Sequence, residues 1–192
     1  MPSLTIGLVG ASSSGMWVPV EVLKEEGFKA YYLSDRLRER TVGLPRTRET
    51  WGKLGCELRS EHGNNFLARV TAPFIWQDNP ELALVDSIRH PAEVDYFRNW
   101  FGAAIFGLNA SAEVRYQLML DRNRGVDPLD WEDFRELDKK DRGIGENPYA
   151  QVDAALKKAD LVFNYDGNLK LLEERARDEL IPWVRSLERN LR

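Results

Sequence analysis

The residues of this chain best suited to chemistry are 10–17, with the sequence Gly-Ala-Ser-Ser-Ser-Gly-Met-Trp. Gly10 and Gly15 have the spacing of the phosphate-binding pattern G-x-x-x-x-G-K-[ST], in which bent backbone N–H groups face phosphate oxygens. Met16 stands in place of the lysine, and Trp17 replaces the Mg²⁺-binding hydroxyl with an indole that offers a metal no lone pair. The segment therefore keeps the shape of a phosphate loop and lacks its charged chemistry.

The residues on either side of this loop have the order that a phosphate loop requires. An apolar run at 4–9 predicts a short buried strand, and residues 18–26 predict a helix that closes at Gly27. Strand, loop and helix therefore follow one another as the motif demands. An ordinary Gly/Ser-rich turn in another α/β fold stays an alternative on this segment alone.

An acid and an arginine follow the third apolar run of the chain. Asp86 comes directly after residues 82–85, and Arg89 lies three positions further on. A carboxylate there can position Mg²⁺ or its bound waters, and a guanidinium can clamp a phosphate through two parallel N–H bonds. The pair indicates a phosphate and metal site, with a salt bridge at a strand-to-helix turn as the alternative.

Polar residues also follow the second apolar run, residues 29–33. Ser34 or Asp35 can cap a helix along which Arg38 projects. If the strands are parallel, these residues face the same cleft as the loop of residues 10–17. The alternative is a capped helix with a solvated face.

A further pair of arginines lies between the fourth and fifth apolar runs. Arg122 and Arg124 stand beside Gly125 and Pro128, where a mobile flap could hinge. Arginines in such a flap can close over a nucleotide and stabilise charge on a transferring phosphoryl group. The charged stretch 131–142 that follows is more typical of a solvated helix face.

Other catalytic chemistries have little support in the sequence. His90 precedes a proline and is predicted to be a loop residue, and His62 is predicted to end a helix. Serine nucleophiles need an adjacent base, and no histidine is predicted near residues 12–14. No cluster of cysteine and histidine suggests zinc.

The elements that must position these residues follow from the apolar runs. Five short runs suit a parallel sheet buried on both faces, with helical crossovers between the strands. This predicts an α/β fold, a three-layer sandwich with a mainly parallel five-stranded sheet, whose ligands bind at the carboxyl ends of the strands. The predicted strands are 4–9, 29–33, 82–85, 103–108 and 161–164, and the predicted helices are about 17–27, 47–70 (allowing a break), 91–100, 111–121, 130–140, 148–158 and 168–190.

Composition limits the class of protein. A chain of 192 residues, 43% of them apolar, suits one domain spanning 1–192. The net charge of −4 and pI near 5.4 argue against a broad nucleic-acid surface. Cys56 is the single cysteine, which excludes an internal disulfide, and no apolar run approaches the ~20 residues of a membrane span. We therefore expect a soluble cytoplasmic protein without membrane partners.

Motifs along nearly the whole chain resemble those of the P-loop nucleoside and nucleotide kinases. The likeness is to the deoxynucleoside monophosphate kinase and dephospho-CoA kinase-like group, including kinase-like domains found beside some deoxycytidylate deaminases. Their order and spacing together are more specific than any one of them. The motifs are Gly7-Leu8-Val9-Gly10 with Gly15, Tyr32-Leu33-Ser34-Asp35 with Leu37-Arg38, Thr47-Arg48-Glu49, Leu54-Gly55, Glu57-Leu58-Arg59, Val85-Asp86-Ser87-Ile88-Arg89, Glu93-Val94, Phe97-Arg98, Glu113-Val114-Arg115, Arg122, Gln151-Val152-Asp153 and Ala159-Asp160-Leu161-Val162.

The resemblance implies a P-loop NTPase fold of the nucleotide-kinase type and a role for each matched residue. It implies an acceptor-binding insert at about 34–80 and a lid-like segment at about 115–147. By position, the loop that grips ATP is Gly10, Ala11, Ser12, Ser13, Ser14 and Gly15; the Mg²⁺-organising acid is Asp86; the acceptor-side residues are Ser34, Asp35, Arg38, Arg48 and Arg89; and the lid arginines are Arg122 and Arg124.

The departures from the family pattern fall on the ATP side of the site. Met16 and Trp17 remove the lysine and the hydroxyl, whereas the acceptor side looks largely intact. This favours a nucleotide-kinase-like protein that binds a (deoxy)nucleotide or nucleotide-like ligand, with impaired phosphoryl transfer. One alternative is an active (deoxy)nucleoside monophosphate kinase using ATP and Mg²⁺, with a substitute cation among Lys53, Lys139 and Lys140.

A second alternative is an interaction or regulatory subunit on a kinase fold. Such a role would require a homodimer or a partner subunit, and tryptophans are frequent at interfaces. In most proteins, however, tryptophans more often belong to the hydrophobic core. The tryptophans considered for such a surface are Trp51, Trp76, Trp100 and Trp183.

Overall fold

A single parallel sheet forms the centre of the molecule. The computed structural model describes residues 1–45, 47–123, 127, 130–145 and 148–190. Within these ranges the strands are β1 (Leu4–Gly10), β2 (Lys29–Tyr32), β3 (Leu82–Ile88), β4 (Ala104–Ala110) and β5 (Leu161–Tyr165). They lie in the order β2-β3-β1-β4-β5, and every neighbouring pair is parallel.

Helices fill the connections between the strands, as parallel pairing requires. A π-helical turn at Ala176–Leu180 joins the helix that ends at Arg175 to the helix that begins at Ile181. The helices are α1 (Trp17–Glu25), α2 (Leu33–Arg40), α3 (Arg48–His62), α4 (Phe66–Asp78), α5 (Pro91–Phe101), α6 (Ala112–Arg122), α7 (Trp131–Arg142), α8 (Val152–Leu156), α9 (Leu169–Arg175) and α10 (Ile181–Asn190).

The sheet is buried on both faces. Leu8 and Val9 are successive residues of β1, and they belong to opposite hydrophobic clusters because neighbouring strand side chains point to opposite faces. One cluster packs the sheet against α1, α6, α9 and α10, and the other packs it against α2, α4, α5 and α8. The predicted three-layer α/β sandwich with a five-stranded parallel sheet is confirmed.

Two helix predictions need correction. The break allowed in the helix predicted over 47–70 is confirmed, because Gly63 takes a positive φ of 94° and ends α3, but the second helix, α4, continues to Asp78. The helix predicted over 148–158 spans only Val152–Leu156. Both differences concern helix ends, where a single left-handed residue or an irregular approach outweighs helix propensity.

The predicted capping role of Ser34 and Asp35 is also wrong. The helix α2 begins before both of these residues, at Leu33. Tyr32 occupies the N-cap position and makes no side-chain capping hydrogen bond. Ser34 therefore lies in the first turn, where its Oγ is 3.2 Å from the Oγ of Ser87. Asp35 lies beside it and pairs with Arg38 on the next turn.

The strand β3 carries an irregularity at its carboxyl end. Gly7 pairs with Val85 and Val9 with Ile88, so β3 has one more residue than β1 over this interval. Ser87 adopts a positive φ of 68° there. A bulge of this kind re-aims side chains at a sheet edge, and Asp86 and Ser87 both line the cavity described below.

In the part of the chain that the structure describes, no helix is both long and apolar enough to cross a lipid bilayer. No group of three or more His, Cys, Asp or Glu side chains in these ranges is arranged to hold a metal ion.

Candidate functional site

A cavity of about 670 Å³ lies at the carboxyl ends of the strands, between the loop of residues 10–15 and the helices above the sheet. The described residues that were predicted as phosphate loop, Mg²⁺-organising acid, acceptor side and lid all line this cavity. Arg124 lies outside the described residues. The predicted residues that line the cavity are Gly10, Ala11, Ser12, Ser13, Ser14, Gly15, Ser34, Asp35, Arg38, Arg48, Asp86, Arg89 and Arg122.

The loop between β1 and α1 is tightly bent. Ser13 and Gly15 both have positive φ angles, of 63° and 89°, and a non-glycine residue in this region is strained. A Cβ atom on Gly10 would lie 2.9 Å from both the Met16 Cε and the Ser14 Oγ, and 3.1 Å from a backbone oxygen of β4. A glycine is therefore required at position 10 by close packing.

The side chains of Met16 and Trp17 lie in different environments. Met16 packs against the hydrophobic cluster around α1, with its methyl group beside Gly10. Trp17 begins α1, has 36% of its surface exposed and lines the cavity. Neither side chain can supply the charge or the metal ligand that a lysine and a hydroxyl would provide.

Three arginines supply positive charge to this loop from other elements. Arg48, at the start of α3, donates from Nη2 to the Ser13 Oγ at 2.6 Å. Arg122, at the end of α6, donates to the same oxygen at 3.2 Å. Arg89, after β3, donates from Nη2 to the Ser12 Oγ at 3.3 Å. The loop therefore lies in a positive environment although its own lysine position is apolar.

The lysines considered as substitute cations lie elsewhere. Lys53 pairs with Glu49 at 2.7 Å, and Lys139 pairs with Glu136 at 2.7 Å on the exposed side of α7. Lys140 lies over the ring of Tyr149. Among the described residues that line the cavity there is no lysine.

Two carboxylates that sequence reasoning missed neutralise part of this charge. The Asp127 carboxylate accepts from Arg48 Nε at 2.8 Å and from Arg122 Nη2 at 3.0 Å. The Asp141 carboxylate accepts from Arg89 Nη1 and from the backbone N–H of Ser12, the latter at 3.3 Å. Both carboxylates are nearly buried.

The burial of α7 residues corrects one expectation. The stretch 131–142 was expected to be a solvated helix face, but Phe134 and Asp138 are buried, and the Asp141 side chain is only 14% exposed. These positions repeat at intervals of three and four residues, which is the sequence signal of one inward helix face.

Burial and pairing shift the pKa values of these groups in ways that fit their contacts. Burial lowers the pKa of Arg48 to about 10, although Asp127 and Asp141 favour its charged form. Burial alone would raise the pKa of Asp141, but attraction and a hydrogen bond from Arg89 outweigh it, so that pKa is lowered. Asp141 is therefore an anion at neutral pH.

The side of the cavity formed by α2 and α3 combines charge with aromatic surface. Arg38 pairs with Asp35 at 2.6 Å and lies over the ring of Trp51. A Cβ atom on Gly52 would lie 2.3 Å from the Tyr149 ring, so the glycine lets that ring pack against α3. This side of the cavity can hold a flat ring beside a cation.

Asp86 lies at the bulged end of β3. Burial raises the pKa of Asp86, although a backbone hydrogen bond from Ser87 and the charges of Arg89 and Arg38 oppose the shift. One carboxylate is then available to a divalent cation, while the Trp17 indole stands in place of a second oxygen ligand. These residues do not fit a Mg²⁺ site built by protein ligands alone.

The histidines have structural roles. His90 precedes α5 and its Nδ1 accepts from the backbone N–H of Ala92, in a reciprocal cap with Glu93. His62 is the last residue of α3, as expected. Glu93 is buried and also accepts two hydrogen bonds from Arg59, whose guanidinium lies beside the cavity.

Comparison with solved structures shows which known proteins share this fold. A protein from Thermus thermophilus, TT1252, matches with a TM-score of 0.60 and 17% identity, over 95% of this chain and 98% of its own. Shikimate kinase from Acinetobacter baumannii, in complex with shikimate, matches with a TM-score of 0.55 and 15% identity, over 95% and 94% of the two chains. At such identities the likeness shows the fold alone, which this chain shares with that shikimate kinase.

Sequence relatives define the family. The UPF0200 protein of Methanoculleus marisnigri is 32% identical over 168 residues, covering 86% of this chain and 88% of the relative. That of Hyperthermus butylicus is 33% identical over 144 residues, covering 74% and 77%. No protein-family model matches the chain. The chain belongs to the UPF0200 family.

Proposed function

We propose that this protein binds a (deoxy)nucleotide or a nucleotide-like ligand through a phosphate group, and that its phosphoryl transfer from ATP is impaired. The observation that carries the proposal is the convergence of Arg48, Arg89 and Arg122 on Ser12 and Ser13 of the loop. Guanidinium groups are suited to phosphate because they donate several N–H bonds in a fixed plane. These guanidinium groups are largely removed from water, so an anionic ligand would be a favourable partner for them.

The rest of the cavity suits the non-phosphate part of such a ligand. Trp51 and Tyr149 offer aromatic faces, and Arg38 adds a half-exposed cation beside them. Shape and lining therefore favour a ligand with a flat ring and an anionic group. The deoxynucleoside monophosphate kinase and dephospho-CoA kinase-like subgroup stays a prediction from the resemblance.

The impairment of transfer rests on the two substituted loop positions. Removal of one preorganised donor from a transition-state site costs about 10² to 10³ in rate, and Met16 and Trp17 remove two groups at once. If the protein is nevertheless active, ATP and Mg²⁺ are the expected cofactors, and Asp86, Arg122 and Arg124 are the residues we expect to act in transfer.

A titration with nucleoside and deoxynucleoside monophosphates tests the proposal. Trp17 and Trp51 line the cavity, so binding should change tryptophan fluorescence, and ADP formation can be assayed on the same samples with ATP and Mg²⁺. We expect saturable binding of a monophosphate without ADP formation. ADP formation that requires one acceptor would instead support the active-kinase alternative, and absence of any binding would overturn the proposal.

Two variants sharpen this experiment. Arg38→Ala should weaken monophosphate binding about tenfold, whereas Arg40→Ala, on the same helix and outside the cavity lining, should leave it unchanged. The double substitution Met16→Lys and Trp17→Ser should raise ADP formation at least about 100-fold if these positions cause the impairment. A well-folded double variant without such a gain would show that the impairment lies elsewhere.

A further inference from the structure

The phosphate-facing groups of the loop already hold an anion that belongs to the chain itself. Asp141 reaches from the last turn of α7 to the backbone N–H of Ser12 at 3.3 Å, and it pairs with Arg89. Arg89 in turn donates to the Ser12 Oγ at 3.3 Å. The carboxylate therefore occupies both a loop N–H and a guanidinium, the two kinds of donor that a phosphate oxygen would use.

The contact between Asp141 and the loop is long-range and nearly buried. Asp141 and Ser12 are 129 positions apart in the chain. The Asp141 side chain is 14% exposed, and that of Arg89 is 30% exposed. Water therefore screens this pair only in part, so its replacement by another anion requires that α7 or the side chain of Asp141 move away from the loop.

We infer that Asp141 is an internal anion that competes with the ligand's phosphate for Ser12 and Arg89, and so sets the affinity of the site for phosphate. Binding of a phosphate at the loop displaces this carboxylate and thereby loosens the last turn of α7. The affinity that the site shows for phosphate is therefore reduced by the strength with which the Asp141 carboxylate binds the same donors. The inference rests on the proposed function, because it assumes that the ligand's phosphate binds at this loop.

Asp127 forms a second contact of the same type with Arg48 and Arg122, at 2.8 and 3.0 Å. With both carboxylates in place, each of the three arginines that contact the loop already has an anionic partner. A phosphate oxygen that takes the Ser12 N–H and Arg89 must therefore displace the Asp141 carboxylate.

The test compares phosphate binding by the wild-type protein and by Asp141→Asn. The probes are inorganic phosphate and pyrophosphate, followed by calorimetric titration and by the shift of the melting temperature, Tm. Without ligand, we expect Asp141→Asn to have a lower Tm, because Arg89 loses its charged partner. We also expect it to bind phosphate at least tenfold more tightly than the wild type, with a larger phosphate-induced rise in Tm.

A matched control variant and a second measurement on the wild-type protein keep the test valid even if Asp141→Asn folds poorly. Glu136→Gln removes one charge from an exposed position of the same helix and should leave phosphate affinity unchanged. In the wild-type protein, saturating phosphate should slow hydrogen exchange in residues 10–15 and speed it in residues 138–142. Equal or weaker phosphate binding by Asp141→Asn, or slower exchange in both segments, would overturn the inference.

The outcomes also separate this inference from the proposed function. Monophosphate binding by the wild-type protein together with no gain in Asp141→Asn would overturn the competition and leave the proposed function standing. Tighter phosphate binding by Asp141→Asn in a protein that binds no nucleoside monophosphate would support the competition and overturn the nucleotide ligand.

Discussion

At the scale of single residues, the cavity contains charged groups whose burial opposes the stability of the fold. Asp86 is the clearest case, because burial raises its pKa and the carboxyl has no basic side chain bonded to it among the described contacts. A charged group in such a place lowers the stability of the folded protein at neutral pH. Functional sites commonly contain groups whose pKa is shifted in this way.

This gives a prediction for Asp86→Asn. The folded-state pKa of Asp86 is raised, so the wild type is destabilised above that pKa, and the destabilisation disappears as the carboxyl becomes protonated. We expect Asp86→Asn to raise Tm at pH 7 by roughly 2–4 °C, the shift that about 1 kcal/mol produces in a chain of this size. The gain should shrink as the pH falls toward the ordinary carboxyl pKa of 3.8.

Asp35→Asn provides the control for this measurement. Asp35 lines the same cavity, but its side chain is 40% exposed and pairs with Arg38. Its replacement should not raise Tm, and differential scanning calorimetry at several pH values would compare the two variants. A gain for Asp86→Asn that is the same at pH 7 and pH 4 would contradict the proposed origin of the effect.

At the scale of elements, a buried ion pair holds α7 above the sheet. Arg115 of α6 is fully buried, and its Nε donates to the backbone oxygen of Ala110 at 3.0 Å. Its two terminal nitrogens both donate to the carboxylate of Asp138 on α7, one of them at 2.8 Å. This two-bond pair fixes the helix that carries Asp141, and it therefore positions the part of the cavity wall that α7 forms.

We predict that Asp138→Ala lowers the free energy of unfolding by about 3–5 kcal/mol, because it leaves the Arg115 guanidinium buried and unpaired. Glu136→Ala, on the exposed face of the same helix, should change it by less than about 0.5 kcal/mol. Urea unfolding measures both variants. A cost below 1 kcal/mol for Asp138→Ala would mean that packing of Phe134 and its neighbours, and not the ion pair, holds α7.

At the scale of the whole molecule, both hydrophobic clusters are built on the same sheet, and β1, β3 and β4 contribute buried residues to both of them. Leu84 and Val85 of β3 are neighbours in the chain and belong to opposite clusters. If one cluster unfolded, one face of the sheet would be exposed, and the strands that support the other cluster would lose their packing. Helices from the predicted insert, 34–80, pack into one of these clusters through Leu67 and Ile75.

We predict from this arrangement that residues 1–192 unfold as one domain. Far-UV circular dichroism and tryptophan fluorescence should give coincident urea transitions, because both report the same cooperative loss of the sheet. Two separate transitions would indicate that 34–80 or 115–147 folds independently, and variants with a tryptophan replaced in each segment would show which.

The sequence by itself determined the framework of this protein. Apolar runs marked all five strands to within a few residues, most continuously in the central strands β1, β3 and β4, where both faces of the sheet are covered. The glycine spacing placed the loop at the end of β1, and strand order brought Asp86, Arg89 and Arg38 to the same cavity. These features depend on local composition and on the common direction of parallel strands.

Only the tertiary structure decided which side chains meet at the loop. The contacts of Ser13 with Arg48 and Arg122 join residues 35 and 109 positions apart, and that of Ser12 with Asp141 spans 129 positions. No periodicity or spacing specifies such pairs, because they depend on how α3, α6 and α7 pack over the sheet. The absence of a lysine from residues 10–17 is visible in the sequence, whereas the arginines and carboxylates around the loop are a property of the fold.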